Sequence, residues 1–307
     1  MTDPIRVLNA VQEFLAFCTA RNDSPNTIRA YNRDLLSFVQ CIGHETAVTE
    51  ITRKRIRLYL FSLDASLKRT TVKRKIASVR SFCNWLVCES YLNINPAEGI
   101  TGPRQHHVLP DVPSEADMAK LLDGKIKSAC PERDRVILEL LYSCGLRASE
   151  VAGVNVDDFR LDNTLLIRGK GKKERLVPVG KKAQLAIAEW LPLRRKLISE
   201  MELNTSALLL SVNQWGHCLE GLDVRSVHRV VRSISLAKLG RALHPHTLRH
   251  CFATHMHDHG APIQAVAAML GHARLSTAQI YTRVSPVRML DVYRKAHPHA
   301  KELPSAR

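Results

Sequence analysis

Residues 93–113, NINPAEGITGPRQHHVLPDVP, hold four prolines and two glycines in 21 positions. Proline gives no N–H to a helix or ladder and keeps the preceding residue out of the helical region, so such a run stays outside regular elements. This break divides a 307-residue chain into two parts, the number of domains its length suggests. The reading is a first domain over 1–102, a linker over 103–112 and a second domain over 113–307.

The first part is patterned for helices alone. Val7, Val11, Phe14, Leu15 and Cys18 recur at helical spacing, and Ile28, Tyr31, Leu35 and Phe38 repeat it behind a Ser24–Pro25 start. Further helices are expected over about 52–63 and 70–89. In the second part Ser114, with Glu115 and Asp117, opens a capped helix, and a buried helix follows at about 131–144. The one convincing strand signal is LLIRGKGKKERLVPV, where Leu165–Ile167 and Leu176–Val179 flank Gly-Lys-Gly and read as a hairpin. Helical patterns then continue to the tail. The fold class expected is mainly α with a small β-hairpin: an N-terminal helical domain and a C-terminal α+β domain.

Charge narrows the partners. Forty-five Lys and Arg against 29 Asp and Glu give a formal net charge of +16, which favours an anionic partner such as nucleic acid. Between Arg53 and Arg80 lie ten cations (Arg53, Lys54, Arg55, Arg57, Lys68, Arg69, Lys73, Arg74, Lys75, Arg80) and one acid, Asp64. A solvated helix face generally mixes signs, so this stretch reads as a face for phosphates. The eight cysteines include no C-x-x-C pair and suit reduced core thiols, hence a cytoplasmic protein. Apolar runs such as VILELLY at 136–142 are too short to span a bilayer, and the N-terminus lacks a signal-peptide pattern, so no membrane association is expected.

HPHTLRH, residues 244–250, admits three readings: a metal nest, packed core, or a clamp for an anion. His246 and Arg249 are three apart and share a helix face just after Pro245, where free N–H groups already favour anions. A guanidinium binds two oxygens at once and an imidazole moves a proton near neutral pH, which suits phosphate. His255 and His259 have two-ligand spacing, but no intervening Glu and no evident third ligand support a metal. The tip GKGKKER presents Lys170, Lys172, Lys173 and Arg175 as an exposed basic turn and lacks the spacing of a nucleotide-binding loop. Arg147, in SCGLRASE, has Glu150 as a ready ion-pair partner.

Taken in order, Arg147 in GLRASEV, Lys170 in GKGKKERLVPV, His246 and Arg249 in HTLRHCFATH, His272 in LGHARLST and Tyr281 in IYTRV resemble the tyrosine site-specific recombinases, and among them the bacterial Xer type. SPNTIRAYNRDL near the start and VYRKAHPHA near the end resemble that branch too, so the likeness spans nearly the whole chain. It implies that the first domain binds the DNA core site and the second is catalytic. It also implies a covalent 3′-phosphotyrosyl link with a free 5′-hydroxyl, formed within a tetramer on two double-stranded DNA sites by a Holliday-junction route.

The residue types suit that chemistry. Tyr281 is the expected nucleophile; its hydroxyl, with an ordinary pKa of about 10, needs a proton acceptor, for which His246 is placed. Arg147 and Arg249 are expected on the non-bridging oxygens, Lys170 as general acid for the leaving 5′-oxygen, and His272 as a further donor. No cofactor, metal or small-molecule substrate is expected. The tetramer consists of one chain or includes a related recombinase. The helix after Pro286 either folds back on its own domain or, as the resemblance implies, docks on a neighbouring protomer. Two other readings use the same residues: a topoisomerase IB-like relaxing enzyme, and a DNA-binding protein whose site is idle. The biological role stays open between dimer resolution and movement of a mobile element.

Overall fold

The computed structural model describes residues 5–63, 67–102, 112–169, 174–212, 218–219, 221–271 and 286–300. The chain forms two compact units, Met1–Leu109 and Pro110–Arg307. The expected sites Lys170, His272 and Tyr281 lie outside the described residues, as do the hairpin tip 170–173 and the tail 301–307.

The first unit is helical among its described residues: α1 (Val7–Ala20), α2 (Pro25–Ile42), α3 (Arg53–Ser62) and α4 (Arg69–Cys88). Ser24 Oγ accepts from the Thr27 N–H at 3.2 Å with Pro25 at the first helical position, and Thr52 caps α3 in the same way. Each cap satisfies an N–H that the helix leaves open. The apolar stripes meet around Phe14, Phe38, Phe82 and Leu86, all at or near full burial. One acid sits inside this core. Asp34 falls on the α2 stripe between Tyr31 and Phe38; it accepts from Ser78 Oγ at 2.8 Å and pairs with Arg74, while Lys75 Nζ stands 4.0 Å away. The basic stretch is therefore not one uniform phosphate face. Arg74 and Lys75 are drawn to a buried carboxylate, Arg55 pairs with Glu50, and Arg53 and Arg80 donate to the carbonyls of Glu98 and Ile100. Lys54, Arg57, Lys68 and Lys73 remain exposed.

The second unit is built on α6 (Pro131–Tyr142), where Val136, Ile137, Leu138, Leu140, Leu141 and Tyr142 are all fully buried. A helix buried so completely that even Arg133, Asp134 and Glu139 are enclosed belongs at the centre of its domain. Around it stand α5 (Glu115–Leu122), opened by the Ser114–Asp117 capping box, α7 (Ala148–Ala152), α8 (Lys181–Glu200), α9 (Val224–Leu239) and α10 (Pro245–Asp258). Strands β1 (Thr164–Arg168) and β2 (Glu174–Pro178) pair antiparallel with Thr164 opposite Pro178 and Arg168 opposite Glu174. A second short pair, β3 (Ser211–Val212) and β4 (Cys218–Leu219), was not legible as strand, because two residues a side carry no alternation to read.

Helix α11 (Ile263–Leu270) and helix α12 (Pro286–Ala296) complete the unit. The resemblance implied that α12 reaches a neighbouring protomer. Here it lies on its own unit, against α10, α11 and β2. The reason is packing: Tyr293 and Ala296 are buried beside Phe252 and Met256, and the Tyr293 ring stacks on His297 at 4.9 Å. Burial pushes His297 well below the usual imidazole pKa, so it sits neutral in this core.

Helix α6 gives way to α7 at Gly145, whose φ of +61° lies in the left-handed region. A Cβ there would stand 2.6 Å from Phe252 Cδ1, and Phe252 is fully buried. Gly145→Ala is therefore expected to cost about 2–4 kcal/mol from backbone strain and overpacking together, read as a lower midpoint in urea unfolding.

Candidate strand-transfer site

The site is assembled from three stretches of the second unit. Helix α7 is preceded at its N-cap by Arg147, whose backbone N–H donates to Glu150 Oε2 at 2.8 Å and whose Nη1 donates to Glu150 Oε1 at 2.8 Å. Glu150 thus closes the first turn of α7 and holds the arginine in the same stroke. The Arg147 side chain is 44% exposed and the Glu150 side chain 5%: the carboxylate is inside and the guanidinium reaches out.

Helix α10 supplies the second arginine. It starts at Pro245, one residue before the expected start, and His246 is exposed on its first turn. One turn on, Arg249 is buried; Nη1 donates to the Gly145 carbonyl and Nη2 to the Leu270 carbonyl, each at 2.6 Å, and Nη1 lies 3.6 Å from Glu150 Oε2. Two of the five N–H donors of a guanidinium are thereby used. No hydrogen bond among the described residues joins the His246 ring to either arginine. The structure brings Arg147 and Arg249 together on one carboxylate and places His246 at the rim.

A third arginine belongs to this cluster and was misread in sequence. Arg175, expected as one cation of an exposed turn, is turned inward on β2 with its side chain 14% exposed. Nη1 and Nη2 donate to the two Glu150 oxygens, both at 2.8 Å, and Nε donates to the Met269 carbonyl at 2.8 Å. The register could have revealed this. Arg175 is opposite Ile167 and shares a strand face with Val177, and both of those side chains are buried.

Three guanidiniums therefore surround one buried carboxylate, leaving a local excess of positive charge. Burial pushes the Glu150 carboxyl up, but the hydrogen bonds from Arg175 and Arg147 outweigh it and hold the group down at about 2. Burial and the charge of Arg147 bring Arg249 down to about 10 against the opposing pull of Glu150, so it stays protonated at neutral pH. An anion with oxygens on two sides is what such a cluster lacks.

His255 and His259 are committed elsewhere. His255 is buried, with Nδ1 3.0 Å from the Tyr142 hydroxyl and Nε2 3.1 Å from the Pro113 carbonyl; His259 Nδ1 is 2.9 Å from the His255 carbonyl. Among the described residues no group of three or more His, Cys, Asp or Glu is disposed to hold a metal ion. Nor is any described helix long and apolar enough to cross a membrane.

Comparison with known proteins gives the family of the chain. Residues 114–288 match the phage integrase family, and residues 11–90 match the phage integrase N-terminal SAM-like domain. The chain is 39% identical over 296 residues to the tyrosine recombinase XerC of Listeria monocytogenes, covering 94% of this chain and 97% of that one. It is 35% identical over 298 residues to the tyrosine recombinase XerD of Oceanobacillus iheyensis, covering 95% and 99%. In fold it resembles the lambda integrase tetramer bound to a Holliday junction, at a TM-score of 0.69 and 15% identity over 91% of this chain and 78% of that one. It also resembles the XerH recombinase in its pre-cleavage complex with difH substrate, at 0.68 and 20% over 94% of each. The chain belongs to the phage integrase family, the tyrosine recombinases.

Glu150→Gln leaves three buried or half-buried guanidiniums without their carboxylate and should cost about 3 kcal/mol or more at neutral pH. The folded pKa lies below the unfolded one, so the contribution of Glu150 is complete above about 4.5 and is lost as pH falls toward about 2. The gap between wild type and variant in urea unfolding should therefore be smaller at about pH 3.5 than at pH 7; a constant gap would contradict the assignment.

Proposed function

We propose that the protein is a site-specific DNA recombinase that cuts and rejoins strands through a 3′-phosphotyrosyl intermediate. The observation that carries this reading is the convergence of Arg147 and Arg249 on Glu150 with their combined charge unbalanced. A scissile phosphodiester supplies the missing negative charge and gains it further in the transition state, where fixed guanidiniums are most effective.

In this reading the Tyr281 oxygen attacks phosphorus and His246 takes its proton. Arg147 and Arg249 stabilise the pentavalent phosphorane through its non-bridging oxygens, and His272 donates a further hydrogen bond. Lys170 delivers a proton as the 5′-oxygen leaves. The bond energy is kept in the phosphotyrosyl link, so a 5′-hydroxyl from another strand reverses the step without ATP. Residues 1–102 serve as the core-binding domain and 113–307 as the catalytic domain. The working form is a tetramer on two double-stranded sites, of this chain alone or with a related recombinase, acting in the cytoplasm as a dimer resolvase or a mobile-element recombinase. The identity to chains named XerC and XerD and the likeness in fold to recombinases bound to DNA support it.

The test is covalent trapping. Incubated with a pool of nicked suicide DNA from its own genomic neighbourhood, the protein should gain a DNA adduct on the peptide holding Tyr281, found by mass spectrometry and unaffected by EDTA. Tyr281→Phe should abolish the adduct and bind DNA as before. An adduct that survives the substitution would remove Tyr281 as nucleophile, and no adduct on DNA the protein demonstrably binds would favour an idle site. Separately, replacing Lys54, Arg57 and Lys73 with Gln should weaken binding and lower the salt slope by up to about 3, one per lost phosphate contact. An unchanged slope in titrations at several salt concentrations would mean these side chains do not touch DNA.

A further inference from the structure

We propose that Arg175 is a positioning residue of the strand-transfer site: through Glu150 and the end of α11 it fixes where Arg147 and Arg249 hold the scissile phosphate. The inference rests on the recombinase reading above and goes beyond it by assigning a role to a residue that touches no DNA in that mechanism.

The geometry is specific. All three nitrogens of the Arg175 guanidinium donate, to Glu150 Oε1, Glu150 Oε2 and the Met269 carbonyl, all at 2.8 Å. A planar fork with a third donor on Nε fits these three acceptors at once; a lysine ammonium cannot match two in-plane oxygens and a carbonyl behind them. Glu150 Oε1 receives both Arg175 and Arg147 Nη1, and Oε2 receives both Arg175 and the Arg147 N–H. Arg175 therefore holds the plane of the carboxylate from which Arg147 is hung. Without it the carboxylate is free to rotate, and Arg147 moves with it.

The same residue ties down the other arginine. Carbonyls at a helix C-terminus have no partners within the helix. At the end of α11, the Met269 carbonyl accepts from Arg175 and the Leu270 carbonyl from Arg249, two successive carbonyls taken by two arginines. Gly271 caps α11 at φ +65°, and a Cβ there would lie 3.1 Å from Arg175 Cδ, so the chain turns directly over this side chain. His272 is the next residue, and Lys170 lies four residues before β2 begins. Arg175 thus links by direct hydrogen bonds the stretches of α7 and α11 with its own strand, and each of those stretches borders an expected catalytic residue. With only 14% of its side chain exposed, it does this from behind the site.

The experiment uses nicked suicide DNA carrying the site mapped by covalent trapping, in two forms. One has the ordinary scissile phosphodiester. The other has a methylphosphonate there, in which a methyl group replaces a non-bridging oxygen and removes the charge the arginines act on. Arg175→Lys should bind both within about twofold of wild type. It should form adduct on the phosphodiester about 10–100-fold more slowly and on the methylphosphonate within about threefold of wild type, because a misplaced clamp matters where there is charge to stabilise. Arg175→Gln, which keeps one donor for Met269, should show the same split and serves if the lysine variant fails to fold. Equal slowing on both DNAs would mean general damage and overturn the proposal, as would an unchanged rate on the phosphodiester or failure of both variants to fold. No adduct from wild type on either DNA would overturn the recombinase reading itself, and this inference with it.

Discussion

A buried carboxylate among guanidiniums is costly to desolvate, and the second unit is organised to make that cost bearable around Glu150. Its two oxygens take hydrogen bonds from the Arg147 backbone, the Arg147 side chain and both ends of Arg175. Those bonds start α7, pin β2 beneath it and, with Arg249 nearby, bring α10 and the end of α11 to the same point. Remove the carboxylate and three neighbouring cations repel one another, two of them largely out of water. Keep it and they are still under-neutralised. That imbalance is what the proposed function uses: one negative charge is in place among three guanidiniums, and in that reading a phosphate brings the second.

Packing explains why these segments can meet at all. Helix α10 is a core element and a site element together: Leu248, Cys251 and Phe252 are buried, and Arg249 lies among them. Its guanidinium is buried, so it takes the Leu270 carbonyl, which ends α11 with no partner in that helix, and the Gly145 carbonyl in the turn between α6 and α7. Gly145 adopts a left-handed conformation under the face of Phe252, where no side chain fits. One glycine thus sets both the exit of the central helix and one acceptor of a site arginine.

Much of this was legible in sequence, for reasons that can be named. Caps at Ser24 and Ser114 and the apolar stripes fixed the helices, because those signals act within one turn. Arg147, His246 and Arg249 stood out because each sits at an element boundary with chemistry nearby. Arg175 was missed because a run of cations on a hairpin reads as solvent-facing, and counting charges ignores the pleat. Strand alternation puts Arg175 on the face of Val177, and the pairing puts it opposite Ile167. The placement of α12 needed the tertiary structure. Nothing local in its pattern distinguishes the groove of its own unit from that of a neighbour; in this single chain it lies on its own unit, with Tyr293 and Ala296 buried there.

The same rule governs the basic stretch of the first unit. Ten cations in 28 residues look like one phosphate-tracking surface, yet Asp34 sits on the buried stripe of α2 and draws Arg74 and Lys75 to itself. Both are less than half exposed, and their charge goes to satisfying a carboxylate that has left water. Lys54, Arg57, Lys68 and Lys73 keep theirs outward. In both units a buried acid chooses some of the surrounding cations as structure and leaves the others for an outside anion. The net charge of the chain counts all of these cations alike, while the burial of Asp34 and Glu150 commits some of them to internal ion pairs.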